Sequence, residues 1–560
     1  MQRGLYDPLL FYMNKLKILM CSEASFLNSG FSIYAKEILS RLYSTDKYEI
    51  AEFASYAHVN DEKDKDIPWS IYANAVNSKD SRYQEYSSRT DNMFGRWRFD
   101  KVVIDFKPDV VIDVRDYWMS AYQEHSPTRK MFHWVLMPTV DSAPQQQQWI
   151  DTFLNADAIF TYSDWGANVL KEQSNNKINY IDTTSPGVDL DIFRIQDKKI
   201  CRESMGIETD AIIIGSVMRN QKRKLIPELF TSFRTLLDKY EKNNNPIGKK
   251  IYLYLHTSYP DAGWDIPELL KESRVANKVL FTKVCRKCSN VSASIFTGPQ
   301  TICPACLTKN LIFPSVTSGV TSENLSTIYN CFDLYVQYAI CEGFGMPQVE
   351  AGACGIPIAT VNYSAMCDIV KKLNAYPIEI KTHFKELETR AKRVYPDNDS
   401  LISIIEKFIS LPEPMQYKKR LKTRELTEKF YNWDDIALKW QKYLDKLNAD
   451  GYRADWKKYN KLQKYQAGKE QDNVDLLISV CKDNLKDIDK AASSKMLSFL
   501  NDADYGFQLN GLSTKAFDIN ELFKQINIYI NNQNHLCDAL DSNVSLNDDF
   551  IQYAKMKKQQ

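Results

Sequence analysis

Two glutamates frame the most chemically loaded segment of the chain. It reads Glu342-Gly343-Phe344-Gly345-Met346-Pro347-Gln348-Val349-Glu350 and runs on through Ala351-Gly352-Ala353-Cys354-Gly355-Ile356-Pro357. The carboxylates lie eight residues apart across a glycine turn and a helix start. Glycines bare the backbone N–H groups, and a helix N-terminus directs its partial positive charge at whatever lies before it. That arrangement suits a diphosphate together with a sugar hydroxyl. The alternative is a turn with two solvated acids; the joint occurrence of Glu-Gly-Phe-Gly, Pro and a second Glu-Ala speaks against it. Upstream, Gly215-Ser216-Val217-Met218-Arg219-Asn220-Gln221-Lys222-Arg223-Lys224 follows an apolar strand and opens a helix at Leu225. Cations fixed at a helix start stabilise a diphosphate that gains charge as it leaves. Taken alone, the run reads equally well as a solvated basic helix start.

A second chemistry sits between these segments. Cys285-x-x-Cys288 and Cys303-x-x-Cys306 are two knuckles separated by fourteen residues. Four thiolates in this pattern are the usual ligands of tetrahedral structural zinc, so a zinc-ribbon insertion is expected over 283–312. The window Ser273–Ser322 contains no Asp or Glu but holds Arg274, Lys278, Lys283, Arg286, Lys287 and Lys309. Exclusion of acids around a ribbon suggests an anionic partner, with nucleic acid the natural candidate. The alternative is a ribbon that braces a long insertion and whose lysines are merely solvated.

These groups need elements to aim them. Lys17–Cys21 reads as a buried parallel strand through Ile18, Leu19 and Met20. Asn28, Ser29 and Gly30 form a loop before the helical spacing of Ser32–Leu42. Strand, glycine loop and helix make the opening unit of a dinucleotide-type fold, in which Gly30 lets the backbone approach an anion. An ordinary βα turn is the alternative. Further strands are expected at Val110–Val114, Met131–Met137, Ala158–Tyr162 and Ile178–Ile181. A second series follows at Ala211–Val217, Ile251–His256, Val279–Phe281, Asp333–Val336 and Pro357–Val361, with a helix over Leu225–Tyr240. Short apolar strands alternating with helices argue for parallel sheets covered on both faces. The expected layout is one α/β domain over 1–190 and another over 191–430. An amphipathic helix follows within 431–449, with Trp433, Ile436, Ala437, Trp440 and Leu444 on one face, and then a helical extension over 450–560.

Bulk properties narrow the class. A chain of 560 residues, 44% hydrophobic and 26% charged, has globular composition and room for two to four domains. Lys+Arg of 72 against Asp+Glu of 71 leaves a net charge of +1, which excludes a uniformly basic nucleic-acid binder but not a local basic patch. The apolar run Leu9–Met13 is too short for a signal peptide, and no stretch approaches the roughly 20 apolar residues of a membrane span. A cytoplasmic location is expected, the host's if the protein is viral. The 12 cysteines are then thiols or metal ligands rather than disulfides.

The Glu342…Glu350 segment resembles the paired-glutamate signature of the family 4 retaining glycosyltransferases, which have the GT-B fold. The resemblance runs from about residue 17 to 447. It implies two Rossmann-like domains facing across a cleft, an acceptor domain first and a nucleotide-sugar domain second. It places Glu342 on the donor sugar, the backbone of Gly343, Phe344 and Gly345 on sugar and phosphate, and Glu350 on the ribose hydroxyls. Arg219 and Lys224 match the family's diphosphate-binding Arg and Lys. Ser29-Gly30-Phe31 is similar to the glycine loop of the first domain. Ser185-Pro186-Gly187-Val188-Asp189 with Phe193 is similar to the turn at the domain junction. Asn432-Trp433-Asp434 with Ala437 is similar to the final helix, which crosses back onto the first domain. Many relatives carry a sugar-contacting His near Pro138–Pro144. This chain offers Asp141 there, an acceptor-side candidate at a strand's C-terminal end, while His133 reads as structural. The zinc ribbon departs from the family pattern.

The resemblance further implies retention of anomeric configuration by front-face attack, with the leaving phosphate taking the acceptor's proton. A UDP-sugar is the expected donor. Arg219 and Lys224 carry the charge role, so no catalytic metal is expected. The chain also resembles phage enzymes suspected of adding arabinose to hydroxymethylcytosine, which makes 5-hydroxymethylcytosine in phage DNA the favoured acceptor. The alternatives are a saccharide or lipid-linked acceptor in polysaccharide synthesis, and a non-catalytic nucleic-acid-binding protein on a transferase scaffold.

Overall fold

A computed structural model describes residues 15–458 apart from 59–60, 62, 64–65 and 316–318. The run Leu9–Met13 and the extension beyond 458 lie outside the described residues. The first sheet contains β1 (Leu16–Glu23), β2 (Tyr48–His58), β3 (Ser70–Ala75), β4 (Val110–Asp113), β5 (His133–Leu136), β6 (Ala158–Thr161) and β7 (Tyr180–Thr183). All are parallel, in the order β3-β2-β1-β4-β5-β6-β7. Ile18, Leu19 and Met20 are wholly buried in β1, the consequence of helices on both faces of a parallel sheet. β2 carries no such clean signal because Glu52 interrupts it. That carboxylate is buried and accepts from the Ser25 N–H at 2.7 Å and the Trp69 indole N–H at 3.1 Å.

The second sheet contains β8 (Ile212–Val217), β9 (Ile251–His256), β10 (Val279–Cys285), β11 (Val291–Ile295), β12 (Gln300–Thr301), β13 (Leu311–Ile312), β14 (Leu334–Gln337), β15 (Ile358–Val361) and β16 (Tyr376–Ile378). Its parallel core runs β10-β9-β8-β14-β15-β16. At the β10 edge, β11 and β13 pair antiparallel, and β12 pairs with β13. The cysteine ribbon thus grows directly out of the sheet, since Cys285 is the last residue of β10. Beyond the other edge, β17 (Ile380–Lys385) and β18 (Lys392–Pro396) form a separate antiparallel hairpin.

The helix Trp433–Leu444 closes the molecule by packing on the first domain. Its Trp440 indole donates to the Tyr34 hydroxyl at 2.8 Å, and its ring stacks on Phe160 at 4.0 Å. The next helix, Asp450–Lys458, also docks there: Arg453 pairs with buried Asp109 at 2.7 Å. His133 is half-buried and hydrogen-bonds the Tyr443 hydroxyl at 2.8 Å, a packing role on this same face.

Candidate active site

In the second sheet β8 lies between β9 and β14, so the winding reverses between β8 and β14. The crevice past the carboxyl ends of strands at such a reversal is where open α/β sheets hold ligands. Both motif segments leave from there. β8 ends at Val217, two residues before Arg219, and β14 ends at Gln337, five before Glu342. Lys222–Lys224 is a single tight turn, followed by Leu225 at φ 30°, a left-handed conformation that a branched side chain rarely adopts. The helix Ile226–Lys242 starts immediately afterwards.

Glu342 is the centre of the site, only 4% exposed. Its Oε1 is ion-paired with Lys224 and accepts from the Gln337 amide at 2.6 Å. Its Oε2 accepts from Arg223 at 2.9 Å. Its N–H donates to the Ser364 hydroxyl at 2.9 Å. Burial would raise this carboxyl, but the adjacent Lys224 and Arg223 charges outweigh it and hold it down at about 2. A permanently ionised carboxylate therefore anchors two cations in the crevice.

Arg219 points elsewhere. Its guanidinium grips Asp261 with two bonds, at 2.9 and 3.1 Å, and is half exposed. The bond from Arg219, with help from Ser258, brings Asp261 down to about 2. The structure thus brings Lys224, expected at the diphosphate, against Glu342, expected at the donor sugar, and adds Arg223, which the sequence reading did not single out. The signal for Arg223 was its place in the Lys222-Arg223-Lys224 run.

Between the glutamates, Gly345 has φ +88° and caps the helix Met346–Ala353, whose N-terminus has no side-chain cap. A Cβ at Gly343 would lie 2.3 Å from Thr139 Cγ2 of the first domain, so the two domains touch through this glycine. A Cβ at Gly30 would lie 3.9 Å from Met346 Sδ, which puts the first domain's glycine loop opposite the same helix start. The Phe344 ring turns away into the core, edge-on to Tyr431 at 5.6 Å, and leaves only its backbone to a ligand. One helix further on, Glu350 accepts from the Tyr329 hydroxyl at 2.7 Å. Burial pushes its carboxyl up to about 7, against the lowering effect of that bond.

Asp141 lies across the seam. Its carboxylate meets Arg393 of β18 at 2.8 Å and accepts from the Cys341 thiol at 3.3 Å. Asp116, which follows β4, has its carboxyl raised by burial and by the negative charges of Asp141 and Glu23. This side of the seam thus holds Asp116 and Asp141, the charge of the latter met by Arg393.

Away from the cleft, Cys285, Cys288, Cys303 and Cys306 place all four Sγ atoms within 4.8 Å of one another. Cys285–Cys306 is 3.6 Å and Cys288–Cys303 is 3.7 Å. Zn–S bonds of about 2.3 Å in a tetrahedron require S···S edges of about 3.8 Å. The cluster fits a thiolate-bound metal, and it is the one such group among the described residues.

Residues 311–408 match the family model for glycosyl transferases group 1. A curated relative, D-inositol 3-phosphate glycosyltransferase 2 of Catenulispora acidiphila, is 24% identical over 215 residues, 38% of this chain and 42% of that protein's length. Among solved structures, sucrose-phosphate synthase from Thermosynechococcus elongatus superposes with TM-score 0.55 at 14% identity, over 77% of this chain and 98% of that one. Anabaena HepE in complex with UDP and glucose gives TM-score 0.53 at 12% identity, over 77% and 100%. Two parallel α/β sheets and a returning C-terminal helix, with the likeness to these solved structures over about three quarters of the chain, give the chain the GT-B fold.

Proposed function

We propose that the protein is a retaining glycosyltransferase that takes its donor, a UDP-sugar, in the crevice between β8 and β14. The observation that carries this is the convergence of Lys224 and Arg223 on buried, ionised Glu342 at the uncapped start of the helix bearing Glu350. The diphosphate lies against that helix start and the two cations, with Arg219 swinging from Asp261 to join them. The Glu350 carboxylate accepts the ribose hydroxyls, and Glu342 holds the donor sugar. In the reaction the bond from C1 to the β-phosphate oxygen breaks, and the acceptor oxygen bonds C1 on the same face. The acceptor proton passes to the departing phosphate oxygen. The protein's contribution is electrostatic: cations fixed in the crevice take up the charge that develops on the leaving group. HepE, whose complex holds UDP and glucose, supports the donor class. The four cysteines, given their S···S spacing, would hold a structural zinc.

For the acceptor, the proposal is the hydroxymethyl group of 5-hydroxymethylcytosine in phage DNA, with a pentose such as arabinose as the sugar. The acid-free Ser273–Ser322 window supports a nucleic-acid partner. One observation favours a neutral saccharide instead: Glu23, Asp116 and Asp141 put carboxyl groups on the acceptor side, Asp141 with its charge met by Arg393, and carboxyl groups suit hydroxyl groups better than phosphates. The deciding experiment incubates the protein with UDP-hexoses and UDP-pentoses and hydroxymethylcytosine DNA, then weighs the digested nucleosides. A pentose or hexose increment on the modified cytosine is expected. Release of UDP with no nucleoside adduct would remove DNA as the acceptor and keep the transferase.

A further inference from the structure

We propose that the β17–β18 hairpin is a phosphate-binding arm that seats a nucleic-acid strand at the acceptor mouth of the cleft; this rests on the reading of the acceptor as nucleic acid. The hairpin leaves the second domain and hooks onto the first. The Lys392 N–H donates to the Ala143 carbonyl at 2.9 Å, and the Gln146 amide reaches the Glu388 carbonyl at 3.4 Å. Ala143 is two residues from Asp141, and Arg393, beside Lys392, is buried against that carboxylate. The hairpin therefore borders the acceptor side.

Its outward side chains are cationic. Lys381, Lys385, Arg390 and Lys392 are exposed, and none is ion-paired among the described residues. Of the nearby acids, Glu386 is occupied by Arg393 at 2.7 Å, while Glu379 before β17 and Glu388 in the turn are exposed. Three of these cations sit where stability alone would not put them. Lys385 and Lys392 are register partners, directly opposite on the two strands, and like charges so placed destabilise the pair. Arg390 has φ +59°, a conformation that glycine adopts without strain. His383 and Lys385 lie on one face of β17, about 6.7 Å apart, and Lys381 is the extra residue of a bulge beside them. Cations set along a strand suit a chain-like polyanion. Leu387 at the turn is 89% exposed and isolated, enough to touch a base but no apolar face for entering a bilayer. The basic ribbon is less well placed: it grows from β10, five strands from β16 across the sheet, roughly 24 Å at the usual spacing.

The test is anisotropy of a labelled single-stranded oligonucleotide on the full chain across a salt series, for wild type, Lys385→Glu and the ribbon pair Arg286→Glu/Lys287→Glu. Lys385→Glu is expected to weaken binding about tenfold and to flatten the log–log salt slope by about 0.7 for each phosphate that is no longer neutralised. It should keep or raise the thermal midpoint, because it turns a like-charge cross-strand pair into an opposite one, and it should leave UDP affinity unchanged. The ribbon pair should weaken binding less than Lys385→Glu does. Undiminished binding by Lys385→Glu would overturn the proposal. So would loss through the ribbon pair alone, or an effect of Lys385→Glu confined to phosphatidylglycerol vesicles. Wild type that binds UDP but no oligonucleotide sinks the arm and leaves the donor site standing. Oligonucleotide binding through Lys385 without UDP binding does the reverse.

Discussion

Glu342 and Glu350 are held at opposite ends of the carboxylate range, one at about 2 and the other at about 7. Glu350 therefore titrates near neutrality. A nucleotide-sugar has constant diphosphate charge near neutrality, so its affinity should rise with pH through about 7 as Glu350 ionises and becomes the better acceptor for ribose hydroxyls. In Glu350→Gln that rise should vanish and binding weaken roughly tenfold or more, the worth of a charged hydrogen bond; calorimetry at several pH values would show it. The same shift bears on stability. A carboxyl whose pKa is raised on folding favours the folded state while protonated, and that favour is lost as pH rises from 4.5 through about 7. Ligand-free Glu350→Gln should thus melt above wild type at alkaline pH, with the gap closing toward pH 4.5; a gap independent of pH would contradict the raised carboxyl. Lys224→Ala should lower turnover about 10²–10³-fold, as loss of one preorganised charge-stabilising group does, measured as UDP released. That Lys224 and Glu342 belong to one candidate site could be anticipated from their motifs, though not their direct pairing. Arg223 could not, because which neighbouring cation turns inward depends on Asp261, a residue 42 positions beyond Arg219 that captures it instead.

At the scale of elements, the seam is set by small contacts. Gly343→Ala would drive a methyl to 2.3 Å from Thr139 Cγ2 and wedge the domains apart. Activity should fall sharply with the thermal midpoint little changed, and Thr139→Ser, which removes that methyl, should restore it in the double variant. Failure of the rescue would mean that Gly343 matters for another reason. The buried strands β1, β4 and β8 were legible as apolar runs because both their faces are covered. β2 and the β17–β18 hairpin were not. In β2 a buried, satisfied Glu52 breaks the pattern. In the hairpin Ile380–Lys385 carries little apolar pattern, since only Ile380 and, across in β18, Val394 reach the core, and the rest is supported through Ala143 and Tyr363. Helix starts were closer: Leu225, expected as the first helical residue, is the left-handed residue before it.

For the whole molecule, the two-sheet architecture was legible from alternating strands and helices, whereas the contact of the domains across Gly343–Thr139 and Arg393–Asp141 depends on residues more than 200 positions apart. The ribbon shares β10 with the second sheet, so its metal should brace that domain. Exhaustive chelation, or Cys288→Ser, should release one zinc per chain and lower the thermal midpoint, while UDP affinity changes little because β8 and β14 lie beyond β9; metal analysis with calorimetry checks both. The central claim is that the β8–β14 crevice of this fold holds a nucleoside diphosphate through Lys224 and Glu350. The most direct test is calorimetric titration of UDP into wild type, Lys224→Ala and Glu350→Gln. The account predicts one site per chain in wild type and marked weakening in both variants with their folds intact. Absence of UDP binding by wild type, or binding that neither substitution touches, would contradict it.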